Sequence, residues 1–129
     1  MLEAGIKNTK VITVTEQLSA QAMGSGALPV FATPAMAALM EATACESIAS
    51  FLEEGSTSVG TKINISHIAA DPIGAKVTCE STLTEVDGRR LVFKLTVRDD
   101  LGVVGEGTHE RFIVKSESFM KKTEAKITY

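Results

Sequence analysis

The stretch TPAMAALMEATACESIASFLEEG, residues 33–55, runs without a break into STSVGTKINISH, residues 56–67, and the change of period between them decides the fold. The first part is dominated by Ala, Met, Leu and Glu, all good helix formers. Thr33-Pro34 at its start supplies a hydroxyl for the N-cap and a proline at the first helical position. Gly55 is placed to end the segment. These signals predict one long helix of about 20 residues. In the second part Val59, Thr61, Ile63, Ile65 and His67 alternate with Lys62, Asn64 and Ser66, which predicts a half-buried strand.

Upstream, KVITVTEQL over 10–18 is rich in β-branched residues and predicts a first strand, followed by a loop containing Gly24, Gly26 and Pro29. Downstream, Asp71, Pro72 and Gly74 turn the chain into KVTCESTLTEV. Asp87-Gly88 is a hairpin signal leading into RRLVFKLTVRD, and Asp99 to Gly102 turns the chain again into VVGEGTHERFIVK. Residues 116–126 suit a short polar helix or a tail. The order is strand, long helix, then four strands joined by short turns. A run of hairpins gives an antiparallel sheet whose apolar face the helix covers, an α+β architecture. We assign residues 1–129 to a single domain with a core over about 10–115 and a C-terminal tail or short helix over 116–129. One helix cannot cover a broad sheet completely, so pairing with a second copy is expected.

Composition narrows the function. Hydrophobic residues make up 44% and charged residues 22% of the chain, ordinary values for a globular domain. No apolar run approaches the roughly 20 residues of a membrane span, and the N-terminus has no hydrophobic signal core, so no membrane association and a cytoplasmic location are expected. A formal charge of −3 argues against nucleic acid as a partner. Cys45 and Cys79 have neither zinc-site spacing nor the density of a disulfide scaffold, which leaves free thiols and no metal.

Glu41 is the first residue out of place. On a helical wheel it shares a face with Pro34, Ala37, Ala38, Ala44, Cys45, Ile48 and Leu52, whereas Glu46, Glu53 and Glu54 fall on the far side. Burying an unpaired carboxylate is costly, so such a group has a partner or a task. His67 is the second, in register with the apolar positions of its strand. A Glu and a His converging on one layer can share a proton near neutral pH. The bland readings are a snorkelling Glu, a satisfied core His and, for Thr33, an ordinary cap. Cys45 as a nucleophile lacks a positive environment to lower its pKa. Gly102, Gly105 and Gly107 lie along a strand and fit close backbone approach better than a nucleotide loop.

Phe31-Ala32-Thr33-Pro34-Ala35-Met36, then Glu41, Ser58-Val59-Gly60-Thr61, His67, the 83–89 run LTEVDGR and the 105–111 run GEGTHER together resemble the fluoroacetyl-CoA thioesterase-like branch of the hot-dog superfamily. The resemblance spans about residues 10–115. It implies a hot-dog fold, a homodimer, and hydrolysis of a short acyl-CoA with no cofactor beyond the CoA of the substrate. Thr33, Glu41 and His67 become the catalytic set, with Gly60 contributing its N–H near the thioester carbonyl and Arg111 contacting substrate or supporting the site. The small, glycine-rich loop from Gly24 to Val30 carries no aromatic gate. Eight residues of regular helix separate the Cα atoms of Thr33 and Glu41 by about 12 Å. The three residues therefore meet only through a bend before the helix or, as we favour, a composite site at the dimer interface. The competing functions are an enoyl-CoA hydratase or dehydratase and a non-catalytic acyl-CoA-binding module.

Overall fold

The computed structural model describes residues 1–127. Five strands, β1 (Lys7–Thr13), β2 (Ser56–His67), β3 (Lys76–Asp87), β4 (Arg90–Asp99) and β5 (Gly102–Lys115), form one sheet in the order β1-β3-β4-β5-β2. Every neighbouring pair is antiparallel. Helix α2 (Thr33–Ile48) lies against one face, and α1 (Ala20–Met23) and α3 (Ser116–Glu124) are short additions. This is the α+β arrangement that the hairpin order and the single long helix predict, and it agrees with the hot-dog fold that the resemblance implies.

Met36, Met40, Ala44 and Ile48 point from α2 onto Val77, Cys79, Leu83, Leu91, Phe93, Leu95 and Val97 of the sheet, all buried. Each large side chain removed from water in this way contributes about 1.5–3 kcal/mol. The helix comes close because β5 offers no side chains beneath it. A Cβ on Gly107 would lie 2.6 Å from the Asn64 carbonyl oxygen and 3.3 Å from Met40 Sδ, and one on Gly105 would overlap Met36 Sδ. Close approach, the expectation for these glycines, is what they provide.

Several boundaries differ from expectation, each for a local reason. The first strand ends at Thr13, and a 3-10 turn (Glu16–Leu18) follows where the β-branched run stops. Ser19 Oγ then accepts from Ala22 N–H at 3.2 Å and caps α1, which Gly24 closes at φ 74°. Helix α2 stops at Ile48, short of the predicted 20 residues, and tightens into a 3-10 turn over Ala49–Phe51. Residues 116–124 form the short helix.

The correction with most consequence lies in β2. The register slips between Gly60 and Lys62, leaving Thr61 as a bulge, so the inward set is Ser58 and Gly60 and then Ile63, Ile65 and His67. Val59 instead pairs with Phe112 on the outer face, and Thr61 is exposed. The outer edge of β2 has no neighbour in the sheet along its 12 residues, whereas the opposite edge strand, β1, is 7 residues long and carries Lys7 and Lys10.

The β2–β3 loop is stitched to the start of α2 by Phe31 N–H on the Asp71 carbonyl, 2.8 Å, and by a bridge between Val30 and Pro72. The Asp71 side chain is buried beside Asp99, and its Oδ2 has no donor among the described residues. Asp99 Oδ1 already accepts from Leu101 and Gly102 N–H at 2.8 and 3.0 Å. Burial first, then the hydrogen bond to Asp99 and its charge, push Asp71 up to about 6. The bond from Asp71, followed by the turn amides, holds Asp99 below its ordinary value. From about pH 4 to 6 the folded chain keeps a proton that the unfolded chain has released, so the pair's contribution to stability falls as pH rises through that window and is absent above it. Asp71→Asn, which donates an amide proton at every pH, is expected to remove this decline and to stabilise the protein at pH 7.5 by on the order of 2 kcal/mol. Urea denaturation of both proteins from pH 4 to 8 measures it, and parallel curves would contradict the shared proton.

Candidate active site

Helix α2 begins at Thr33 with Ala32 as its N-cap, so the Thr33 hydroxyl is not spent on capping. It is 2.8 Å from His67 Nδ1 at the last position of β2. The imidazole stands edge-on to Phe31 at 6.1 Å. Burial draws its pKa below the ordinary histidine value, against an opposing effect of the Ala69 backbone, so the ring is neutral at physiological pH. Nε2 is buried without a hydrogen-bond partner among the described residues. This pair opens into a pocket of about 310 Å³ lined by Ser25, Val30, Phe31, Pro34 and Ile68 among others.

Two turns further along α2 is Glu41. It lies on the flank of the helix beside β2 and not on the face that meets the sheet, with Cys45 half-buried and Pro34 and Ala38 exposed on the same stripe. Its carboxylate has no hydrogen bond or ion pair among the described residues. Its closest constraint is Gly60, where an added Cβ would stand 2.7 Å from Glu41 Oε1 and 3.1 Å from His109 Cε1. Only a residue without a side chain leaves the carboxylate its place against the bulge.

Behind Gly60 lies a buried polar network. Arg111 donates from Nε to Ser58 Oγ at 2.7 Å, from Nη2 to the Ser58 carbonyl at 2.8 Å, and from Nη1 to His109 Nε2 at 3.1 Å. A guanidinium has no acceptor, so His109 Nε2 must be the bare nitrogen. Nδ1 therefore carries the proton and donates it to the Lys62 carbonyl at 2.8 Å. Burial, ahead of the opposing Lys62 bond and the nearby Arg111 charge, lowers the pKa of His109, and it too is neutral. The network grips Ser58 before the bulge and Lys62 after it. Arg111, expected to contact substrate or support the site, is thus turned to β2 and buried, which suits support.

The structure brings Thr33 to His67, and it gathers Glu41, Gly60, His109 and Arg111 in a second group. It does not join the two groups within one chain, because α2 is regular from Thr33 to Glu41 and keeps their Cα atoms about 12 Å apart. A bend before the helix is thereby excluded. Sequence reasoning alone passes over Ser58 and His109 as site residues. A signal for His109 does exist, in the inward period of two that runs Gly105, Gly107, His109, Arg111 along β5.

A family model described as FlK, fluoroacetyl-CoA-specific thioesterase, matches residues 14–117. The chain belongs to this family. A fluoroacetyl-CoA thioesterase of Streptantibioticus cattleyicolor is 41% identical over 97 residues, which is 75% of this chain and 70% of that protein. A variant of the fluoroacetyl-CoA-specific thioesterase FlK, solved with fluoroacetate and CoA, superposes with TM-score 0.87 at 34% identity, covering 92% of this chain and 99% of that one. A hot-dog-like protein from Thermanaerovibrio acidaminovorans, 24% identical with TM-score 0.91 over 99% and 95% of the two chains, shares the fold. Family membership makes this protein an acyl-CoA thioesterase, a thioester hydrolase, and the hydratase and pure binding readings are not favoured.

Two substitutions probe the candidate site. Gly60→Ala forces the Glu41 carboxylate to move and is expected to lower kcat/KM for acyl-CoA about 100-fold, with far-UV circular dichroism unchanged. Arg111→Lys keeps the charge but loses the fork on Ser58 and His109, and is expected to cost about 2–4 kcal/mol in urea unfolding. An unchanged midpoint would mean that the network does not hold the bulge.

Proposed function

We propose that this thioesterase hydrolyses a short acyl-CoA to the free acid and CoA in a composite site between two protomers, with Glu41 from one and the Thr33–His67 pair from the other. The observation that carries this is the state of the two groups. An unpaired carboxylate stands about 12 Å along α2, Cα to Cα, from the Thr33 that is bonded to His67, and His67 Nε2 is buried without a partner among the described residues.

The exposed edge of β2 supports the assembly. A long unpaired strand is a liability unless it is covered, and the stripe of Pro34, Ala38 and Cys45 beside it is apolar enough to be covered too. Antiparallel pairing of two β2 strands lays the Gly60 half of one along the His67 end of the other. That arrangement brings Glu41 toward the partner's His67.

In this site the Glu41 carboxylate attacks the thioester carbonyl carbon or draws a proton from the water that does so. His67 Nδ1 and the Thr33 hydroxyl share a hydrogen, which orients the ring, while Nε2 moves the proton that the departing CoA thiolate requires. Gly60 N–H meets the oxyanion, aided by the positive end of α2 at Thr33 of the partner subunit. The pocket of about 310 Å³ beside Thr33 suits a small acyl group. With no aromatic ring between Gly24 and Val30, the preferred acyl group is an ordinary small one and not the fluorinated unit. Among the described residues no helix is long and apolar enough to cross a membrane. Two free thiols suit the reducing cytoplasm, where we place the protein.

The test uses thiol release from a panel of acyl-CoAs. Glu41→Gln and His67→Ala are each expected to lose at least about 100-fold in kcat. Mixing the two variants in equal amounts should restore about a quarter of wild-type activity, because half the dimers are mixed and each mixed dimer holds one intact composite site. Near-wild-type turnover in either variant would sink the residue assignment, and a mixture as inactive as its components would sink the composite site. Loss of enoyl absorbance without thiol release would instead indicate a hydratase.

A further inference from the structure

The β2–β3 loop, residues 68–75, carries one wall of the pocket beside Thr33 and His67 through Ile68, Ala69 and Ala70. All three are exposed, so side-chain packing does little to hold that wall. Backbone bonds hold it instead. Ile68 and Ala69 N–H donate to the Val104 carbonyl at 2.7 and 3.2 Å, and Phe31 N–H donates to the Asp71 carbonyl at 2.8 Å. Phe31 also stands edge-on to the His67 ring, so loop, pocket and imidazole form one stack. The only buried side chain of the loop is Asp71, 3% exposed. It meets Asp99, which the Leu101 and Gly102 amides fix in the β4–β5 turn.

We propose that Asp71 is a positioning residue for the reaction, an inference that rests on the thioesterase reading above: a proton shared with Asp99 clamps the β2–β3 loop to the β4–β5 turn, and its loss slackens the pocket wall. With the proton in place the two carboxyls make one hydrogen bond. Without it two negative charges face each other in a space that excludes most water, and like charges there repel. The loop is the side that yields. Asp99 is held by two turn amides, whereas the Asp71 side chain has no other donor, its Oδ2 being buried without a partner among the described residues.

No other charge stands in for the proton. The charged groups on the elements around Asp71 are Glu16 before α1, Lys76 at the start of β3, and Arg98 and Asp100 flanking Asp99, and all four are exposed. Arg98 is engaged with Glu80 at 3.5 Å. His67, at the end of β2, is drawn toward its neutral form by burial. The shift of Asp71 up to about 6 comes from burial and from Asp99. The clamp is therefore closed at pH 5 and is lost as pH rises through about 6, the direction expected of an acid whose protonated form is the one the fold favours.

The experiment measures kcat/KM from pH 5 to 8 for the wild type and Asp71→Asn, on the acyl-CoA turned over fastest. Their ratio at each pH cancels the titrations of Glu41, His67 and the substrate phosphates, which both proteins share. Asp71→Asn donates an amide proton to Asp99 at every pH, so its kcat/KM relative to wild type is expected to be near unity at pH 5 and to rise about fivefold by pH 7.5. Asp99→Asn supplies the donor from the other side and should give the same curve. Asp71→Ala has no clamp and should stay below Asp71→Asn by the same factor throughout. Amide-exchange protection of Phe31, Ile68 and Ala69 should fall in the wild type between pH 5 and 7.5 and hold in Asp71→Asn. A ratio independent of pH, an Asp71→Ala variant as active as Asp71→Asn, or protection that falls alike in wild type and Asp71→Asn would overturn the proposal. If the wild type hydrolyses no acyl-CoA, the thioesterase reading fails, and amide exchange still decides the clamp.

Discussion

The straightness of α2 is the constraint on which the rest of the structure depends. From Thr33 to Ile48 it is one regular helix, held against the sheet by Met36 and Met40 seated over Gly105 and Gly107. A rigid rod cannot bring its first turn and its third to one carbonyl. The fold therefore supplies each half of the site with its own strand position, His67 for Thr33 and Gly60 for Glu41. Those positions lie at the end and the middle of a single edge strand, so geometry within the chain and assembly between chains become the same question.

The bulge at Thr61 makes both halves point inward. Gly60 and His67 are seven residues apart, an odd number, and in an unbroken strand they would face opposite sides of the sheet. One extra residue reverses the phase, and the unpaired backbone this creates must be fixed. Arg111 and His109 do so through Ser58 and the Lys62 carbonyl, at the cost of burying a guanidinium that satisfies three of its donors on protein atoms. Such a network is tolerable in a core only when its members find partners. Here they do, and Glu41 alone is left over.

Glu41 and His67 are legible in the sequence because each breaks an apolar period, and the order of strand, long helix and four strands is legible because turn residues separate strands of strong β character. The bulge is not. A slip of one residue leaves composition and turn signals unchanged, and Val59 and Thr61 satisfy the alternation as well as Ser58 and Gly60 do. Thr33 is ambiguous for a different reason. Thr-Pro at a helix start reads as a cap, and only the position of Ala32 as the actual N-cap frees the hydroxyl for His67. His109 and Ser58 escape notice because a buried histidine held by backbone and arginine has no local signature. The composite site follows from sequence alone only as an argument about reach, which the regular helix sharpens.

The electrostatics limit how such a site can stabilise a negative transition state. Burial keeps His67 and His109 neutral, and the donors of Arg111 are directed at Ser58 and His109. Beside the proposed reaction centre no permanent cation among the described residues is free to face the oxyanion. Backbone dipoles must then carry that task, the Gly60 amide on one side and the exposed start of α2 on the other. Such dipoles are fixed by the fold and need no reorganisation as charge develops. That is consistent with a protein that commits a buried arginine network to holding one glycine still.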